Sequence, residues 1–358
     1  MGHIMTVRGP IAPEELGSAL PHEHLQFNIT MYQGCPEDEE GKKFWNEPVT
    51  LENLFRVKRH PYANYDNCIL FDIPPILKEI DYFKEVGGNA IVDVSSQGLS
   101  SETYPADMVE ISERSGIHII GGMGHFHEVM HPAYVKTSTV DDLTKEYVDT
   151  IRNGYKGYPG IRPGILGEVG TGLTVTKEEE KCLRASGQAQ LETGIAINVH
   201  THLPARNGNR VLDILESEGV PLNRVVLSHV AVSLCHPDCG FEGGLDYLRS
   251  LAARGCYVEF DLCGNAEYFQ TPDHGSWWNP TDGMRARAIK KLCQEGYARQ
   301  ILLSHDTGHK YYLKQWGGWG LGHVLDGFKD TLLEEGVDSD HVAIFSTKNV
   351  QEMLTFSK

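Results

Sequence analysis

The stretch Gly17–Phe27, GSALPHEHLQF, sets His22 and His24 one residue apart in an apolar run. On a β-strand, residues i and i+2 share a face, so two imidazoles stand side by side while Glu23 turns the other way. Neighbouring imidazoles buried without a partner cost desolvation energy, and they repel when both are charged. Neutral imidazole is a good ligand for zinc and similar ions, and a shared ion removes that difficulty. A pair of hydrogen-bonded core histidines accounts for this one segment equally well. The rest of the chain separates the two readings. Glu168 in ILGEVG, His200 in INVHTH, His229 in VVLSHV and Asp306 in ILLSHD each interrupt an apolar run near its C-terminal end. Any one of them could be a satisfied core group. Six polar groups at equivalent heights are costly to bury unpaired, because each forfeits its hydration.

The elements that must position them are short. Eight apolar runs read as strands, over 19–27, 89–96, 118–124, 164–170, 195–202, 224–230, 256–262 and 300–306, mostly separated by amphipathic helical patterns. The helix from Thr176 carries a threonine N-cap, an acidic first turn and Gly194 as its stop; GNRVLDILESEG and GLDYLRSLAARG also end on glycine. Alternating strand and helix implies a parallel sheet, and eight such units imply an α/β fold of the (β/α)8 TIM-barrel type, one domain over 1–358. A doubly wound open sheet is the alternative, weakened because no Gly-rich dinucleotide fingerprint follows the first strand. In a barrel the six polar residues meet at the C-terminal mouth. Three long segments, 28–72, 264–283 and 307–323, follow strands at that end and are expected as loops over it.

Other polar residues are weighed against the same frame. His202 shares the parity of His200 but lies further out, at the rim; His305 has the opposite parity to Asp306 and should face the helices or a neighbouring strand. Asp261 is expected to stabilise a loop. His125 and His127 repeat the HxH spacing beyond the third strand, in a loop, and are expected at the surface as the competing pair for a metal. Tyr268, Trp277, Trp278, Trp316 and Trp319 suit apolar contacts with a substrate. Arg206, Arg210 and Lys310 could bind a carboxylate or sulfonate, or be ordinary solvated charges.

The ordered set of HxH, a strand-4 carboxylate, His, His and Asp resembles the phosphotriesterase family of the amidohydrolase superfamily, over nearly the whole chain. The resemblance implies two divalent ions: His22, His24 and Asp306 on one, His200 and His229 on the second, and Glu168 bridging. Many members place a carboxylated lysine at the bridge. A glutamate there resembles the phosphotriesterase-related subgroup and supplies the bridging carboxylate directly. Ala19 also departs from the hydroxyl residue usual in the N-terminal signature. The implied chemistry is attack by a water that the ions make nucleophilic, with Asp306 taking its proton and passing it to the leaving group. Zinc fits the histidine and carboxylate donors, and manganese, cobalt or iron are the alternatives. A lactone, a carboxylic ester or an N-acyl amine ranks above a phosphotriester because of Glu168; a non-catalytic binding protein is the competing class.

Composition agrees with an enzyme acting on a small molecule. The 49 acidic against 32 basic residues give a formal charge of −17, which disfavours nucleic acid and anionic membranes as partners. No apolar run is long enough to span a bilayer, and the N-terminus lacks a signal-peptide core. Gly2 and Thr6 match a myristoylation pattern that nothing else supports. The eight cysteines are scattered, and CHPDC (235–239) has no second CxxC near it, so reduced thiols and a cytoplasmic location are expected. A homodimer is the one assembly entertained.

Overall fold

The computed structural model describes residues 2–356 apart from 97 and 272–274. Eight strands pair in parallel and in chain order: β1 (Ala19–Glu23), β2 (Ala90–Asp93), β3 (His118–Met123), β4 (Ile165–Gly170), β5 (Ala196–His200), β6 (Val225–Ser228), β7 (Tyr257–Phe260) and β8 (Ile301–Leu303). Helices α1 (Ile73–Glu85), α2 (Tyr104–Ser115), α3 (Val140–Asn153), α4 (Lys177–Thr193), α5 (Gly208–Ser217), α6 (Gly240–Ala252) and α7 (Asp282–Gln294) cross between them. A further helix, α8 (Gly327–Glu335), follows the last strand. The architecture is the expected (β/α)8 barrel.

Both faces of each strand are covered, which is why the strands read as apolar runs without polar alternation. Ile91, Ile119, Leu166, Ile197 and Leu227 face the helices, while Val92, Ile120, Ile165, Ala196 and Val226 fill the barrel interior. The interior is closed at its N-terminal end by Ile4, Leu16 and the terminal helix Lys348–Leu354. Helix α4 starts as its sequence indicates: Glu179 N donates to Thr176 Oγ1 at 3.2 Å and Thr176 N donates to Glu179 Oε2 at 2.9 Å. It stops at Gly194, whose φ of 77° suits a residue without a Cβ. Helices α5 and α6 end at Ser217 and Ala252, shortly before Gly219 and Gly255.

The strand ladder stops between β8 and β1, and side chains together with one main-chain bond from beyond β8 join the two segments there. His22 N donates to Ser304 Oγ at 3.1 Å, Ser304 Oγ donates to Glu23 Oε1 at 2.8 Å, and Asp306 N donates to His22 O at 3.3 Å. The other Glu23 oxygen accepts from Thr307 N. Glu23 therefore does turn away from its two histidine neighbours, and its charge fastens the seam of the barrel.

Two expectations are corrected. The segment 28–72 is more than a loop, for it carries helices Glu39–Asn46 and Leu54–Arg59 and pairs Phe27–Asn28 with Ile69–Leu70. Several strands are also shorter than their apolar runs. β6 ends at Ser228 and β8 at Leu303, so His229 and Asp306 lie beyond them with left-handed φ of 64° and 52°. Left-handed backbone turns, which most side chains disfavour, set the direction of both, and strand parity does not apply to Asp306. Segment 264–283 forms a hairpin, Tyr268–Thr271 with Gly275–Trp278, and its residues 272–274 lie outside those described. Among the described residues, no helix is long and apolar enough to cross a membrane.

Candidate metal centre

Glu168 stands at the middle of the barrel mouth. Its Oε1 lies 3.2 Å from His22 Nε2, 3.2 Å from His200 Nδ1 and 3.1 Å from His229 Nε2, and its Oε2 lies 3.5 Å from His24 Nε2. Asp306 Oδ1 closes the group at 3.3 Å from His24 Nε2 and 3.7 Å from His22 Nε2. The six residues singled out in the sequence are therefore gathered in one cluster. The pairing of β4 with β5 shifts register between Leu166 and Val169, and Glu168 sits in that irregularity. All four histidines are buried.

Three of the four rings have a polar group behind them. His22 Nδ1 donates to Glu259 Oε2 at 2.9 Å, and His24 Nδ1 donates to Ser95 Oγ at 2.8 Å. His229 N donates to Asp261 Oδ2 at 2.7 Å, and the ring Nδ1 lies 3.3 Å from the same oxygen. Asp261 thus steadies the start of a loop, as expected, and faces the imidazole as well. Outer carboxylates of this kind fix the tautomer and leave the opposite nitrogen's lone pair facing the cluster. Glu259 Oε2 also accepts from Ser228 Oγ and Asn198 Nδ2. Sequence reading missed Glu259, Asn198, Ser228 and Ser95. The signal for the first two was present: each is a polar residue inside an apolar strand, one layer below the C-terminal ends that carry the cluster.

The carboxylates of the cluster are held ionised by the rings around them. Burial opposes ionisation of Glu168, yet His22 and His200 hold its carboxyl well below the usual range. Asp306 is lowered to about 2; burial again works against this, and the hydrogen bond from His24 and the charge on His229 outweigh it. Burial works against protonating His24 and His229, but the carboxylates beside them raise both to about 10. His200 is lowered, by burial first and then by His229. His22 Nε2, fully buried, makes no hydrogen bond despite its 3.2 Å approach to Glu168. Four imidazoles, two ionised carboxylates and an orphaned ring nitrogen fit divalent cations at this point, since soft-to-borderline nitrogen and oxygen donors are what such ions take.

The remaining candidates fall elsewhere. His202 is buried near the rim with Leu203 and Trp277. His305 faces β1, its Nδ1 donating to Glu23 Oε1 at 2.7 Å. His125 and His127 are not at the surface; both are buried, which corrects that expectation. His125 bonds the hydroxyls of Tyr147 and Tyr134, and His127 packs its ring 4.5 Å from that of His200. Gly170 makes this possible, because a Cβ there would meet Phe126 C at 2.5 Å and His127 N at 2.6 Å. A loop over a parallel barrel is covered by its neighbours, which sequence position alone does not reveal.

A cavity of about 80 Å³ opens onto His24, Glu168, His200 and Asp306. Its walls are aromatic: Tyr32, Tyr62, Phe126, Phe269, Trp277 and Tyr312. Of the loop aromatics proposed from sequence, Trp277 lines it, Trp319 stacks on Tyr312, and Tyr268 and Trp278 are exposed. The loop cations do not reach it. Arg210 pairs with Glu180 at 2.8 Å, Lys310 with Asp66 at 2.6 Å, and Arg206 donates to Cys239 Sγ.

Comparison with known proteins agrees with this geometry. Residues 2–354 match the model of the phosphotriesterase family. N-acetyltaurine hydrolase of Xenopus tropicalis is 32% identical over 363 residues, covering 99% of this chain and 98% of that protein. The crystal structure of a resiniferatoxin-binding protein from Rhodobacter sphaeroides is 33% identical with a TM-score of 0.90, covering 99% of this chain and 95% of that one. A lactonase from Listeria monocytogenes is 26% identical with a TM-score of 0.74, covering 99% and 100%. The chain is a metal-dependent hydrolase by kind, and it belongs to the phosphotriesterase family.

Proposed function

We propose that this protein is a binuclear metal-dependent hydrolase of small molecules, cleaving a lactone, a carboxylic ester or an N-acyl amide within one barrel domain. The observation that carries this reading is a single carboxylate, Glu168, within 3.1–3.5 Å of ring nitrogens from four histidines. His22, His24 and Asp306 would hold one ion, His200 and His229 the other, with Glu168 between; zinc is the ion we favour. When bound, the ions supply Lewis acidity toward the scissile carbonyl and lower the pKa of the attacking water. Asp306, beside that point and ionised, accepts the proton at Oδ and returns it to the leaving group. Glu259, Ser95 and Asp261 keep the histidines oriented, and the aromatic walls exclude bulk water. The names of the relatives support both an N-acyl amide, as in N-acetyltaurine, and a lactone. The eight free thiols support a reducing, cytoplasmic location.

The test joins metal analysis to a turnover panel. Metal-replete protein should hold about two divalent ions per chain and hydrolyse a member of a panel of lactones, aryl esters, N-acetylated amines and phosphotriesters. A fold without bound metal would end the reading. The competing reading, a non-catalytic binder, draws only on the name of the Rhodobacter relative and expects ligand binding without metal-dependent turnover.

A further inference from the structure

Asp306 needs support from outside its own strand. It lies beyond the end of β8 at a left-handed φ of 52°, a conformation that residues other than glycine disfavour. Such a conformation persists only where the surroundings hold it. Its own N–H reaches His22 O at 3.3 Å. The residues on either side of it turn to one side chain, that of Glu23.

Five donors converge on this carboxylate. Oε1 accepts from Ser304 Oγ at 2.8 Å, His305 N at 2.9 Å and His305 Nδ1 at 2.7 Å. Oε2 accepts from Thr307 N at 3.1 Å and Thr307 Oγ1 at 2.7 Å. His305 Nε2 accepts from Val324 N at 3.1 Å, so the ring proton sits on Nδ1 and aims at Glu23. Glu23 is wholly buried, and a buried carboxylate is tolerated only when its oxygens are paired or hydrogen-bonded. Segment 304–307 supplies those bonds and is thereby pinned to β1, between the two histidines of that strand. An amide in the same place would offer one acceptor oxygen and turn N–H groups toward donors. None of the five donors lies on β4, β5 or β6, which lead to Glu168, His200 and His229.

We propose that Glu23 is a positioning residue for the metal centre. By fixing the backbone on both sides of Asp306, it sets that carboxylate 3.3 Å from His24 Nε2 and assembles the three ligands of one ion as a unit. The ion rests on the hydrolytic reading above, but the placement of Asp306 is tested without metal as well.

Calorimetric titration of metal-free parent and Glu23→Gln with zinc, and anomalous diffraction from cobalt-loaded crystals to locate each ion, make the test. In the variant, the ion at His22, His24 and Asp306 should bind on the order of 100-fold more weakly, the upper range for a lost outer partner. The ion at His200 and His229 should keep the parent's affinity. Thr307→Val removes one donor and should weaken the same ion by about 10-fold, which keeps the test open if the Gln variant does not fold. Hydrogen exchange gives the metal-independent readout. In metal-free protein the amides of His305 and Thr307 should lose protection in Glu23→Gln, and to a lesser degree in Thr307→Val, while those of β4 and β5 do not. Equal weakening of both ions would make Glu23 a general support of the barrel and overturn the proposal. Unchanged affinity, or unchanged protection of the two amides, overturns it too. A parent that takes up no metal removes the hydrolytic reading, and exchange at His305 and Thr307 then decides the placement of Asp306 by itself.

Discussion

His22 Nδ1 lies 2.9 Å from Glu259 Oε2, both side chains wholly buried, and the same imidazole presents Nε2 to Glu168 at 3.2 Å. One histidine thus links a carboxylate on β7 to a carboxylate on β4 through the barrel axis. The outer carboxylate decides which nitrogen carries the proton and keeps the inner one free to ligate.

Glu259→Gln is expected to weaken metal binding by about 10–100-fold, the range typical when such outer partners are lost. The amide keeps the volume but can turn an N–H toward His22 and favour the wrong tautomer. Competition with a chromogenic chelator measures the change. Affinity equal to that of the parent would show that His22 needs no such orientation.

Replacing the central carboxylate has a larger effect. Glu168→Gln should lose the binuclear centre while circular dichroism still reports a folded barrel, since a neutral amide does not offset two cations. Elemental analysis checks it. Full metal occupancy in that variant would remove Glu168 from the ligand set.

Asp306→Asn separates ligation from proton transfer. Turnover should fall by about 10²–10⁴-fold, the usual contribution of a general acid–base group, with metal content largely kept. An equal fall in metal content would assign Asp306 to ligation alone. Near-normal turnover with metal retained would show that another group moves the proton.

Gly170→Ala should destabilise the protein by about 1–3 kcal/mol, as overpacking of a filled interior does. The added Cβ would meet the backbone of Phe126 and His127 at 2.5–2.6 Å and push that segment off His200. Chemical denaturation gives the difference. An unchanged midpoint would mean that the segment shifts without cost.

Asp282 sets an acid-side limit on stability. Burial raises its pKa, but the hydrogen bond from His323 and the charge of Arg285 more than compensate and bring it to about 2. A depressed folded-state value stabilises the fold above the unfolded value near 3.9 and loses that contribution as pH falls through about 2. The stability gap between the parent and Asp282→Asn should therefore be about 2 kcal/mol at neutral pH and shrink below pH 4. A gap independent of pH would place the effect in packing instead of charge.

The barrel and its six cluster residues were legible in the sequence because both leave local marks. Strands buried on two faces appear as apolar runs, and a carboxylate or imidazole inside such a run is conspicuous for the cost of burying it. What the sequence could not show is contact between distant segments. The inward aim of His229 and Asp306 comes from left-handed turns beyond shortened strands. His125 and His127, in a loop by any local rule, are buried because Gly170 lets that loop lie against the end of β4, with His127 beside His200. Glu259 matters through His22, 237 positions away in the chain, a pairing that exists only after the sheet curves into a barrel. Sequence by itself determined which groups must be paired; the tertiary structure decided with whom, because burial makes a partner necessary and only folding brings one within reach.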